Sequence, residues 1–202
     1  MVKYKYRDLF IHAESDNAYP FNINFQRKKE FDPIHFYGPG IYLIAFKNKV
    51  VYIGKYRPNN MGDVQRERWI HHVATLTGRG DKVGFGKLDR WFKRFKPLFD
   101  ENGVSVSQLD KRGRDTGTVT SYNRIRFSFE NHESFKGELD MSTFSFYYFR
   151  NERLSQSRLD ALENALIKTI NPPANNQFRM KDGTLSLKDA LIKIDVEISL
   201  LG

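Results

Sequence analysis

The sequence predicts an α/β domain of the α+β kind, a small mixed β-sheet sandwiched by helices. Three observations carry this. Two short apolar runs, 40–46 and 50–54, flank the polar turn Lys47-Asn48-Lys49 and read as a β-hairpin. A third run, 142–150, is dominated by aromatic residues, which suit a pleated, half-buried surface. Residues 155–170 repeat Leu159, Leu162, Leu166, Ile167 and Ile170 at helical spacing, the pattern of a helix with one apolar face.

The elements follow in order. Residues 1–37 form an N-terminal extension, mixed and aromatic, punctuated by Pro20 and Pro33. The turn Tyr37-Gly38-Pro39-Gly40 ends it and opens the hairpin. Each hairpin run carries one tyrosine, Tyr42 and Tyr52. Side chains alternate along a strand, and directly opposed residues share a face. A loop of three residues, 47–49, sets Phe46 against Val50 and Tyr42 against Gly54, and both phenols then lie on one face. A loop of two or four residues puts them on opposite faces. Residues 63–77 read as a helix with Val64, Arg68, His71, His72 and Thr75 on one side, stopped by Gly78-Arg79-Gly80. A second amphipathic segment follows. Leu88, Trp91, Phe92, Phe95 and Phe99 form its apolar stripe, and Lys87, Arg90, Lys93, Arg94 and Lys96 its basic side. Residues 100–140 are polar and read as an insertion, within which Arg124 to Phe129 alternate like an exposed strand. After the helix at 155–170, Asn171-Pro172-Pro173 forms a stop. A last helix over 185–201 begins at a Thr184/Ser186 cap signal. The whole reads as a single domain, 1–202, with a core at 38–176 and a C-terminal extension at 177–202.

Composition narrows the partners. The chain has 202 residues, 33 Lys plus Arg against 24 Asp plus Glu, and a formal charge of +9. That surplus favours a polyanion such as nucleic acid. The absence of cysteine excludes disulfides, thiolate zinc sites and cysteine nucleophiles. No stretch approaches the ~18 apolar residues of a membrane span, and the first residues lack the apolar core of a signal peptide. The expectation is a cytoplasmic protein with no membrane partner.

Glu163 is out of place on the helix at 155–170. It stands four residues after Leu159 and three before Leu166, within the apolar stripe. A buried carboxylate is paired, metal-bound or protonated. It reads either as an oxygen ligand for a hard divalent cation or as a stripe-edge residue whose head reaches water or an arginine.

Taken together, these residues resemble the GIY-YIG nuclease family. Gly40-Ile41-Tyr42 and Tyr52-Ile53-Gly54 match both halves of its motif. Arg68 and His72 match its Arg-x-x-x-His pair on the following helix; His71 is adjacent, and the family spacing selects His72. Glu163-Asn164-Ala165-Leu166-Ile167-Lys168 and Asn171-Pro172-Pro173-Ala174-Asn175 match the pattern that carries the family's metal-binding glutamate and a following asparagine. Lys55, directly after the second tripeptide, agrees with many members.

The resemblance implies hydrolysis of phosphodiester bonds in double-stranded DNA with a single Mg²⁺, or Mn²⁺, on Glu163. It makes Tyr42 the candidate general base, with Tyr52 sharing that role or orienting the phosphate. Arg68 becomes a phosphate clamp, His72 a group that accepts a proton from Tyr42 or holds the phosphate, and Lys55 and Asn175 supporting groups. Basic residues at 87–96 (Lys87, Arg90, Lys93, Arg94) together with Arg124 and Arg126 are the candidate DNA contacts. A stand-alone chain of this size resembles the restriction enzymes of the family, which implies a sequence-specific endonuclease working as a homodimer or tetramer. The alternatives are a nonspecific or structure-directed nuclease, and a DNA-binding module without catalysis.

Overall fold

The computed structural model describes residues 7–16, 21–26, 33–58, 62–79, 105–109, 115–175 and 185–200. Five strands among them form one sheet: β1 (Arg7–Ser15), β2 (Ile23–Gln26), β3 (Gly40–Phe46), β4 (Lys49–Tyr56) and β7 (Phe144–Arg150), in the order β2-β1-β7-β3-β4. Every pairing is antiparallel, where a mixed sheet was expected. The α+β class itself holds. A separate two-stranded ribbon pairs β5 (Ser105–Leu109) with β6 (Asp115–Ser121). The helices are α1 (Ile70–Leu76, entered through a π-helical turn at Gln65–Trp69), α2 (Tyr122–Glu130), α3 (His132–Phe135), α4 (Gln156–Ile170) and α5 (Leu187–Ser199).

Alternation along the strands, broken at one bulge in β4, divides the core between the two faces of the sheet. Tyr42, Ile44, Phe46, Phe144, Phe146 and Tyr148 face Trp69, Val73 and Leu76 of the α1 segment and Phe127 and Phe135 of α2 and α3. Ile41, Leu43, Val50, Ile53 and Phe149 face the apolar stripes of α4 and α5. The helices read over 155–170 and 185–201 therefore occur, as Gln156–Ile170 and Leu187–Ser199. Ser155 caps the first through the Arg158 amide and Ser186 caps the second through the Asp189 amide.

Two expectations need correction. Residues 1–37 are more than an extension, because β1 runs antiparallel to β7 and Ile11, Ala13, Phe21 and Ile23 are buried in the core. Their polar neighbours and short length hid the alternation. The segment 124–129 is helical, within α2, and not a strand. A short alternating run is also compatible with a helix face, and here packing decides. Phe127 is buried, and Ser128 donates its hydroxyl to the carbonyls of Leu76 and Thr75 at 2.5 and 2.9 Å. The fully buried Arg79 donates to the carbonyls of Phe135 and Gly137 at 2.6 and 2.7 Å. The second half of the supposed insertion is thereby part of the core layer over α1.

The hairpin reaches the expected register by an unexpected route. Its loop has two residues, Lys47 and Asn48, both at positive φ (47° and 59°), the geometry of a tight turn that matches strand twist. Phe46 pairs with Lys49 and Ala45 with Val50. Alone, that turn would put the phenols on opposite faces. A β-bulge at Val51 adds one residue, so that Ile44 pairs with Tyr52 and Tyr42 with Gly54. Val51 and Tyr52 both lie on the α1 face.

Candidate active site

The site forms where the hairpin meets α1 and α2. Tyr42 points inward from the middle of β3 and is 2% exposed. Its ring stacks on Tyr52 with centroids 6.1 Å apart. Space for it depends on Gly54 opposite, where any Cβ would overlap the Tyr42 hydroxyl and ring. The second glycine of the motif is thus a packing requirement of the first tyrosine.

His72 stands over both phenols. Its Nε2 lies 2.7 Å from the Tyr42 hydroxyl, and its ring centroid is 4.3 Å from that of Tyr52. The π-helical turn brings Arg68 onto the same side one turn earlier. Arg68 is exposed, with its guanidinium 5.9 Å from the Tyr56 ring. From α2, Arg124 places a guanidinium nitrogen 3.3 Å from His72 Nδ1 and lies 5.8 Å from the Tyr52 ring. Among the described residues no carboxylate pairs with Arg68 or Arg124, so this side of the hairpin is cationic. Burial, then the neighbouring Tyr52 phenol, holds Tyr42 well above the usual phenol range. Burial also raises Tyr52, with Arg124 as the largest opposing influence. Burial, then Arg124, Arg68 and His71, holds His72 well below the usual imidazole range, and the ring is neutral.

The last part of the site closes the open edge of β4. Edge strands leave unpaired N–H and C=O groups. Here the chain leaving α4 covers them. Ala174 donates its N–H to the Val51 carbonyl at 3.0 Å. Asn175 acts as a one-residue strand: its Oδ1 accepts from Ile53 N at 2.9 Å, and its Nδ2 donates to Ile53 O at 2.7 Å. Glu163 continues the row, with Oε1 accepting from Lys55 N at 3.1 Å. Asn175 therefore supports the site through the backbone of the second tripeptide.

Glu163 is 17% exposed at its side chain and reaches a lysine, Lys55, whose ammonium lies 2.8 Å from Oε2. The same ammonium lies 2.9 Å from Asp160, one turn earlier on α4. Hydrogen bonds to Glu163 and then Asp160 raise Lys55, and Lys55 in turn lowers Asp160. Sequence reading missed Asp160, although its spacing of three from Glu163 puts the two on one helix face. The pair presents carboxylate oxygens to one cation, which is the donor chemistry of a hard metal ion. A metal there would displace the Lys55 ammonium. Among the described residues no group of three or more metal-ligating side chains occurs.

The remaining candidates divide. Tyr42, Tyr52, Arg68, His72, Lys55, Glu163 and Asn175 all gather at or around the hairpin. Arg124, expected as a DNA contact, instead joins the site itself. Arg126 pairs with Glu130 at 2.8 Å on the outer side of α2. Lys87, Arg90, Lys93 and Arg94 lie outside the described residues. Among the described residues no helix is long and apolar enough to cross a membrane. No protein-family model, curated protein or solved structure matches the chain.

Proposed function

We propose that the chain is a Mg²⁺-dependent endonuclease that hydrolyses phosphodiester bonds of double-stranded DNA at specific sequences, resembling the restriction enzymes of the GIY-YIG family. One observation carries the reading. Two phenols, a neutral imidazole and two arginines without carboxylate partners converge on one face of the hairpin, and a carboxylate pair stands at its edge. Packing alone does not call for uncompensated cations beside buried hydroxyls.

In this reading Arg68 and Arg124 receive the scissile phosphate, since guanidinium forks match phosphate oxygens and stabilise charge that develops on them. The phenols stand where a water or its proton would be handled. Both keep their protons at neutral pH in the free protein, and the charge of a bound metal cation, not that of the phosphate anion, would favour their ionisation. Glu163, with Asp160, would hold the metal, and Lys55 would move aside. A metal bound there supplies Lewis-acid stabilisation of phosphate and leaving oxygen.

The test is incubation of plasmid with the protein and Mg²⁺. Discrete fragments are expected. A smear would favour a nonspecific nuclease, and binding without cleavage would favour a DNA-binding module. Glu163→Ala should lower cleavage by at least about 100-fold, the scale of losing one electrostatic stabiliser, while gel-shift binding persists. Retained cleavage in that variant would remove the metal assignment.

A further inference from the structure

We infer that Arg124 is a positioning residue that fixes the tautomer of His72, making His72 a hydrogen-bond donor to Tyr42 and not an acceptor of its proton. This deepens the proposed function and rests on it only for the consequence in turnover. A guanidinium has five N–H groups and no acceptor. His72 Nδ1, 3.3 Å from an Arg124 guanidinium nitrogen, must therefore accept. A neutral imidazole has one N–H, so the hydrogen sits on Nε2. Nε2 faces the Tyr42 oxygen at 2.7 Å and donates to it. The doubly protonated ring is excluded by the same geometry, because it would set an N–H and a positive charge against a guanidinium.

The groups facing His72 agree. Tyr42 on β3, Tyr52 on β4 and Arg124 on α2 surround the ring, with Arg68 and His71 on its own helix. None is a carboxylate that would stabilise an imidazolium. Arg124 is itself held by its place on α2, one turn before Ser128, whose hydroxyl bonds the end of α1 and also the Arg124 carbonyl. The distance from Arg124 to His72 is thus set by backbone-anchored packing of α2 on α1.

The consequence is a direction for the proton network. With the Tyr42 oxygen receiving a hydrogen from His72, its own hydroxyl hydrogen points elsewhere. The Tyr52 ring, its centroid 6.1 Å from that of Tyr42, is the phenol stacked beside it. The row then runs Arg124 to His72 to Tyr42, each donating to the next. Negative charge is best supported on the phenols, and His72 supports it by donation. His72 is thereby a donor to Tyr42 and not, as the resemblance implied as one alternative, the acceptor of its proton.

The test reads the ring directly. Long-range ¹H–¹⁵N correlation on histidine-labelled protein, with His72 assigned by loss of its signals in His72→Gln, distinguishes the tautomers. The expected wild-type pattern at neutral pH is a protonated Nε2 and a bare Nδ1. Arg124→Leu should abolish that pattern, giving Nδ1–H or a mixture, and should move the His72 titration upward. Arg124→Lys, which keeps a donor, should restore at least part of it. In the plasmid assay Arg124→Leu should lose about tenfold or more in turnover, within the range of a displaced proton-handling group. A wild-type ring protonated on Nδ1, or charged at neutral pH, overturns the inference without any variant. An unchanged tautomer in Arg124→Leu overturns it too. The ring pattern needs no DNA, so absence of cleavage alongside the expected pattern would sink the nuclease reading and leave the tautomer assignment standing.

Discussion

At the residue scale, His72 controls more than its size suggests. Its ring is kept neutral in the fold by burial and by Arg124 and Arg68. The sign of the pH effect follows. An unfolded chain takes up a proton near the ordinary value of about 6.5, and the folded chain refuses it until a lower pH. Stability contributed by the neutral ring is therefore fully present above that ordinary value. It is lost as pH falls from there toward the folded value, at no more than about 1.4 kcal/mol per pH unit. Urea unfolding midpoints should show wild type losing more stability than His72→Gln between about pH 7 and about pH 5. Parallel curves would mean that the ring is not held neutral. Tyr42 shows the same logic from the acid side: a phenol at 2% exposure keeps its proton until something cationic arrives to stabilise the anion.

At the scale of elements, the hairpin is built to present two tyrosines, and the chain after α4 is built to hold the hairpin. The bulge at Val51 restores parity after a two-residue turn, and Asn175 pairs with both backbone groups of Ile53. Asn175→Ala leaves an N–H and a carbonyl without partners in a buried setting. It should lower unfolding free energy by about 2–3 kcal/mol, the cost of two lost hydrogen bonds with desolvated remnants, without changing the denaturant slope. A loss below about 0.5 kcal/mol would mean that water satisfies the edge equally well. The hairpin and the helix at 155–170 were legible in sequence because a tight polar turn and a long stripe are local patterns. The bulge was not legible. Val50 and Val51 are both apolar, and only pairing with β3 and packing on two different faces decide which of them is the extra residue.

At the scale of the whole molecule, α5 carries an exposed apolar row at Ile192, Val196 and Leu200 (53%, 47% and 75% exposed) on the side away from its buried Ala190, Ile194 and Ile198. Residues four apart form one stripe. If the chain cuts both strands of a symmetric DNA site, as proposed, two copies would act as a two-fold pair, and we propose this row as their contact. Val196→Lys should shift sedimentation toward the monomer and turn double-strand cuts into nicks. An unchanged sedimentation profile in a protein that is dimeric as wild type would place the interface elsewhere.

The sequence by itself determined the hairpin, the helices that carry His72 and Glu163, the cap of the last helix and the cationic surplus. Each depends on residues close in the chain or on composition, and so is written in spacing. Tertiary structure decided the rest. It alone turned residues 7–15 and 23–26 into two strands of the sheet and residues 122–130 into a helix. It alone brought Arg124 to within 3.3 Å of an imidazole fifty-two positions earlier, and set the Lys55 ammonium against Glu163 and Asp160. The physical reason is the same throughout. A short amphipathic run has little preference of its own. Which face it buries, and which donor meets which acceptor, is settled only when elements distant in sequence compete for the same buried surface.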